Sequence, residues 1–173
     1  ESDIRRIRQN DGEKALRFAF YDDSNITSVD LSSVQSIGAS GMSNAFYDCS
    51  NITSVDLSSL QTVGMYGMNN AFRYCTRITG ALDLSSLESV GHFGLLAAFE
   101  GCIGITSVDF SSLQSIDDSG MDNAFNTCTG LTTISFPSLT SVHTYGLQNA
   151  FNYCTNLREI HFRADMQETI EAL

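Results

Sequence analysis

An Ala-Phe pair returns along this 173-residue chain at Phe20, Phe46, Phe72, Phe99, Phe125 and Phe151, spaced 26 residues apart with a single interval of 27. A period so regular and so short restricts the chain to a solenoid or array of stacked units. Each unit is too small to bury its own apolar face, so neighbours must share one continuous core. The stretch from Asn44 to Gly67, NAFYDCSNITSVDLSSLQTVGMYG, shows the unit nearly whole.

Two periodicities run inside the unit. Met68, Ala71, Phe72 and Cys75 stand at i, i+3, i+4 and i+7, the apolar stripe of about two helical turns. The same face returns as Met42/Ala45/Phe46/Cys49, Leu95/Ala98/Phe99/Cys102, Met121/Ala124/Phe125/Cys128 and Leu147/Ala150/Phe151/Cys154. Val55 and Leu57 then alternate with Ser54, Asp56 and Ser58, the period-two mark of a half-buried strand. Leu60 and Val63 add two further anchors. The expected class is therefore α/β: six short parallel strands on one face of a solenoid and short helices on the other.

Several columns of the repeat are structural. Cys49, Cys75, Cys102, Cys128 and Cys154 fall three residues after Phe46, Phe72, Phe99, Phe125 and Phe151, as small apolar core residues do, while Asp23 holds that position after Phe20. Asn25, Asn51, Arg77, Gly104, Gly130 and Asn156 follow two residues after that column, and Asn and Gly there predict a left-handed helix C-cap, with Arg77 the strained exception. Asn25 and Asn51 also begin Asn-Ile-Thr acceptor patterns for glycosylation, although a cap accounts for the Asn without a sugar. Gly41, Gly67, Gly94, Gly120 and Gly146 imply either positive φ or a close approach between coils. The 27-residue unit carries its extra residue at Gly80-Ala81, where a bulge should leave Asp83 in register. Pro137 follows Phe136 at the end of a strand, where its missing donor is tolerated.

The repeats span residues 18–162. Residues 1–17 fit an N-terminal cap or a truncated preceding coil, with Ile4 and Ile7 as its anchors. Residues 163–173 begin a C-terminal capping helix: Asp165 with Glu168 resembles a capping box, and Met166, Ile170 and Leu173 share a face. Both ends look like cuts in a longer protein.

Charge narrows the partners. The chain carries a formal net charge of −11, and from Phe18 to Leu157 twelve Asp and Glu face only Arg73 and Arg77. Nucleic acid and anionic membrane need a basic footprint and are not expected partners. No 18-residue apolar run offers a membrane-spanning helix.

The run I-x-x-V-x-L-x-x-L-x-x-V-G…A-F-x-x-C, repeated from Leu16 to Phe162, resembles the leucine-rich repeats of BspA-like (treponemal-type) bacterial surface proteins. The unit is a few residues longer than is usual there, and the post-strand proline survives only at Pro137. The resemblance implies a right-handed leucine-rich-repeat solenoid with its strands on the concave face and its helices on the convex face. It further implies a secreted or surface-anchored, adhesion-type protein without catalytic residues.

No fingerprint of catalysis is present: there is no GxSxG, P-loop, HExxH or dinucleotide motif, and no Cys/His set at zinc spacing. His92, His143 and His161 occupy three different columns of three units and are not expected to meet at a metal or a triad. No enzyme activity, cofactor or metal is expected. The one surface constellation lies on the strands, where Asp30, Asp56, Asp83 and Asp109 stack in the middle outward column. Ser54, Ser58, Ser107 and Ser111 flank them, and His161 stands at the far end. With strands about 4.8 Å apart, the inner pair Asp56 and Asp83 should hold protons more tightly than isolated carboxylates. The expected function is that of a monomeric module binding a protein partner with a basic surface. A glycan or cell-wall ligand, which would use the column of Tyr66, Phe93 and Tyr145, is the alternative, as is a structural spacer.

Overall fold

The computed structural model describes residues 16–163, 165 and 166. The N-terminal anchors Ile4 and Ile7 and the capping-helix residues Glu168, Ile170 and Leu173 lie outside that set. Among the described residues, five units contribute one longer strand and one two-residue strand, and the last contributes a longer strand alone. The longer ones are β1 (Ser28–Asp30), β3 (Ser54–Asp56), β5 (Thr79–Asp83), β7 (Gly104–Asp109), β9 (Thr133–Phe136) and β11 (Glu159–Phe162). The short ones are β2 (Ser36–Ile37), β4 (Thr62–Val63), β6 (Ser89–Val90), β8 (Ser115–Ile116) and β10 (Ser141–Val142). Every pairing is parallel and joins equivalent strands of successive coils, except that β3 and β5 do not pair. The result is a parallel-strand solenoid.

The short strands form one five-stranded sheet, whereas the longer ones form two: β1–β3 and β5–β7–β9–β11. The interruption falls at the 27-residue unit. The register shifts between Gly80 and Ala81, with Gly80 at φ +85°, and Asp83 still faces Asp109. The expected bulge is there, and it also breaks the ladder between β3 and β5.

The third wall differs from expectation, because the described residues contain no helix. From Gly64 to Cys75 the chain makes consecutive tight turns. The amides of Gly67, Asn69, Ala71, Arg73 and Cys75 each donate to the carbonyl three residues back, at 2.9–3.3 Å. The intervening amides of Tyr66, Met68, Asn70, Phe72 and Tyr74 instead donate to the next coil, at 2.8–3.0 Å. Tyr66, Asn70 and Tyr74 take positive φ, at +55°, +52° and +63°. A helix would spend every amide internally. This wall spends half of them joining coils, and a left-handed residue every fourth position resets each turn. Period four serves the apolar stripe as well as period 3.6 does over eight residues: Met68 and Phe72 are four apart, and so are Ala71 and Cys75. All four are fully buried.

With no helix to end, the Asn/Gly column has no C-cap to make. None of Asn25, Asn51, Arg77, Gly104, Gly130 and Asn156 has positive φ. Asn51 and Asn156 instead donate through Nδ2 to Ser24 O and Thr129 O of the preceding coil, both at 2.8 Å. At Gly104 a Cβ would stand 2.5 Å from Ile78 O. The other glycine column also reflects close approach rather than positive φ. A Cβ on Gly67 would lie 2.8 Å from Val63 Cγ1 and 3.2 Å from Gly38 O of the previous coil.

The core runs the length of the solenoid. Phe46, Phe72, Phe99 and Phe125 stack nearly parallel with centroids 5.1–5.5 Å apart, and Phe20 and Phe151 extend the spine at its ends. Beyond Leu84 the post-strand column changes to Phe110, Phe136 and Phe162, a second ladder at 5.2–5.3 Å. Phe110 meets Phe125 edge-on at 6.0 Å, tying the two ladders together. Each buried ring contributes roughly 1.5–3 kcal/mol.

Candidate functional site

The longer strands carry the Asp column on their outward face. Pairing sets Asp30 beside Asp56 and Asp83 beside Asp109, and continues through Ser135 to His161. The ladder break runs between Asp56 and Asp83, so the four carboxylates form two pairs. Each is oriented by the serine two residues on. Asp30 Oδ1 accepts from the amide and hydroxyl of Ser32 at 3.0 and 2.6 Å, and Asp56 Oδ1 from those of Ser58 at 3.0 and 2.7 Å. The amides of Ser85 and Ser111 donate to Asp83 and Asp109 at 3.0 and 2.8 Å. Side-chain and backbone hydrogen bonds from Ser85 hold the Asp83 carboxyl below its ordinary range. The tighter proton binding expected from stacked charge is thus reversed at Asp83: a hydrogen bond to the charged form outweighs repulsion across a solvated face.

The flanking serines divide into roles. Ser58 and Ser111 bond the Asp column, while Ser54 lies beside Ser28 in the ladder. Ser107 and His161 line a shallow groove of about 220 Å³ together with Ser135. His161 Nε2 stands 3.0 Å from Glu159 Oε2 on the same strand.

A larger groove, about 550 Å³, runs over the five-stranded sheet. Its lining includes one repeat column that reads Gly38, Gly64, Gly91, Asp117, His143. Three glycines flatten one end, and a carboxylate and an imidazole close the other. His143 Nδ1 lies 3.3 Å from Asp117 Oδ1, and donor atoms of Asp117, Asp118 and His143 all fall within 4.8 Å of one another. Sequence reasoning compared the histidines only with each other and missed this. The signal was the period itself: His143 follows Asp117 by 26 residues, and Asp118 follows His92 by 26. His92 Nδ1 accordingly sits 2.9 Å from Asp118 O.

Beside that groove Tyr66 and Phe93 stack at 5.0 Å, with His92 4.2 Å from Phe93. Ser119 interrupts the column before Tyr145, which stands 63% exposed. The cysteines offer no nucleophile: all five are buried and free, and burial pushes Cys49 up to about 11 and the others up as well.

The family model described as BspA type leucine rich repeat region matches residues 8–93 and 68–172, in six copies. No curated protein matches the chain. Among solved structures, the chain is similar to a leucine-rich-repeat protein of T. pallidum, at 19% identity and TM-score 0.57, over 91% of this chain and 74% of that one. It is similar also to a leucine-rich-repeat protein of Bacteroides ovatus, at 20% identity and TM-score 0.50, over 85% of this chain and 40% of that one. At such identities the likeness is one of fold, and the chain spans less than half of the Bacteroides protein.

Proposed function

Because the chain belongs to the BspA-type leucine-rich-repeat family, we propose that it is a non-enzymatic module of a bacterial surface or secreted protein that binds a protein partner, in the manner of an adhesin. The observation that supports this reading is the outward Asp column of the longer strands. Asp56, Asp83 and Asp109 are exposed, and each is held in one orientation by a serine amide. Fixed carboxylates on a hydrogen-bonded sheet lose little freedom on meeting Lys or Arg, so they suit a partner with a basic surface. Among the described residues no helix is long and apolar enough to cross a membrane.

Surface plasmon resonance against a panel of matrix and host-surface proteins tests the reading. The double variant Asp56→Asn with Asp83→Asn should weaken capture by slowing association, and more so at low salt. Asn keeps an acceptor for the serine amide, so the fold should persist. Undiminished binding by the double variant would place the interface elsewhere. The Tyr66–Phe93 stack beside the larger groove favours the second reading, a glycan or cell-wall ligand. Binding on a glycan array that Phe93→Ala abolishes would establish it, and silence in both screens would favour a spacer.

A further inference from the structure

We propose that Asp117, Asp118 and His143 bind a divalent first-row transition-metal cation, with Zn2+ preferred, at the end of the groove over the five-stranded sheet. Two successive coils supply the donors, and the period brings them together rather than a chance of loop placement. The 3.3 Å between His143 Nδ1 and Asp117 Oδ1 matches the spacing of two ligands about 2.0–2.1 Å from one tetrahedral cation. The set is mixed, an imidazole nitrogen with two carboxylates, and imidazole favours zinc, nickel or copper over calcium and magnesium. That separates it from the Asp column of the longer strands, which offers oxygen alone.

The backbone beneath the three donors is fixed. Asp117 N–H donates to Val90 O and His143 N–H to Ile116 O, both at 2.9 Å, while Asp118 O accepts from Phe93 N–H at 3.2 Å. A site carried on such a ladder needs little reorganisation to close on an ion. Asp118 N–H also donates to Asp117 Oδ1 at 2.8 Å, holding that carboxylate toward the imidazole. Three protein donors leave a coordination position for water or for a donor atom of a ligand lying in the groove.

Calorimetric titration of the full chain with ZnCl2 alone, after chelator treatment, tests the site, with MnCl2 and CaCl2 in parallel. The expected result is one Zn2+ per chain, bound more tightly than Ca2+. His143→Ala and Asp117→Asn should each weaken it by about tenfold or more, since losing a ligand costs at least as much as losing a group behind one. Asp109→Asn should leave it unchanged, and metal-free thermal unfolding of each variant checks the fold. The proposal is overturned if no saturable binding occurs, or if Ca2+ binds as tightly as Zn2+, which marks a diffuse acidic surface. It is overturned equally if His143→Ala binds like the parent, which would assign the ion to the thiols or elsewhere.

Discussion

Every cysteine of the column donates its thiol to a phenylalanine carbonyl of the preceding coil, as in Cys75 Sγ to Phe46 O and Cys102 Sγ to Phe72 O, each at 3.1 Å. The thiol satisfies a buried carbonyl that would otherwise share only the amide three residues on. Burial raises the pKa of all five, Cys49 to about 11, while an unfolded thiol ionises near 8.5. The folded chain therefore binds more protons above that pH. Its stability is whole below about pH 8.5 and falls as pH rises, by about 1.4 kcal/mol per pH unit for each thiol involved. Denaturant titrations from neutral to alkaline pH should show this slope. Cys102→Ala should remove one share of it, whatever it does to stability at neutral pH. Native thiol labelling should be slow and should reach five per chain on unfolding. At acid pH the sign is opposite for Asp83, whose lowered pKa adds stability above an unfolded value of about 3.9 that is lost as pH falls through the folded one.

At the scale of the element, the wall of consecutive turns decides what the apolar stripe means. Sixteen described non-glycine residues have positive φ, among them Asn44, Asn70, Ala97, Asn123 and Asn149 in one column. Asn tolerates that conformation and Ala does not, at roughly 1–2 kcal/mol. Ala97→Gly should therefore stabilise the protein by up to about 1 kcal/mol, where the same change inside a helix costs about that much. Equilibrium unfolding gives the sign directly, and a loss of stability would mean that Ala97 is not strained. This wall also shows where the sequence was legible. The strands, the Phe spine, the cysteine column and the bulge at Gly80 all follow from period and polarity. The wall did not, because eight residues cannot separate period 3.6 from period four. The discriminating mark was the mid-stripe Asn column, which no helix needs. The functional face was legible in part. Stacking of the Asp column could be read from alternation, but the Ser85 hydrogen bonds that set the charge of Asp83 depend on side-chain geometry. The Asp117–His143 contact needed the 26-residue offset to be applied to unlike residues.

The whole molecule is held together by three ladders, and only one of them is interrupted. The five-stranded sheet and the wall of turns cross the 27-residue unit without a gap, and Phe46, Phe72 and Phe99 stack across it at 5.1 and 5.5 Å. Unfolding should accordingly be a single transition, with nearest-neighbour coupling passing the seam through the core. Phe99→Ala, at the centre of that spine, should cost roughly 3–5 kcal/mol. The seam itself can be closed. Gly80 is the residue in excess, its φ of +85° is what the bulge requires, and open space surrounds the position of its missing Cβ. Thr79 N–H reaches Thr53 O, just ahead of β3, at only 3.4 Å. Deleting Gly80 restores a 26-residue spacing on both sides of the unit, so that Ala81, Leu82 and Asp83 can pair with Ser54, Val55 and Asp56. Two or three regained ladder bonds at about 1 kcal/mol each should raise stability by a similar sum. Amide exchange at Ala81 and Leu82 should slow toward the rates seen in β7 and β9. A fall in melting temperature on deletion would show instead that the bulge relieves strain between the two halves of the sheet. It would also mean that Asp56 and Asp83 are kept apart by the backbone rather than by an accident of spacing.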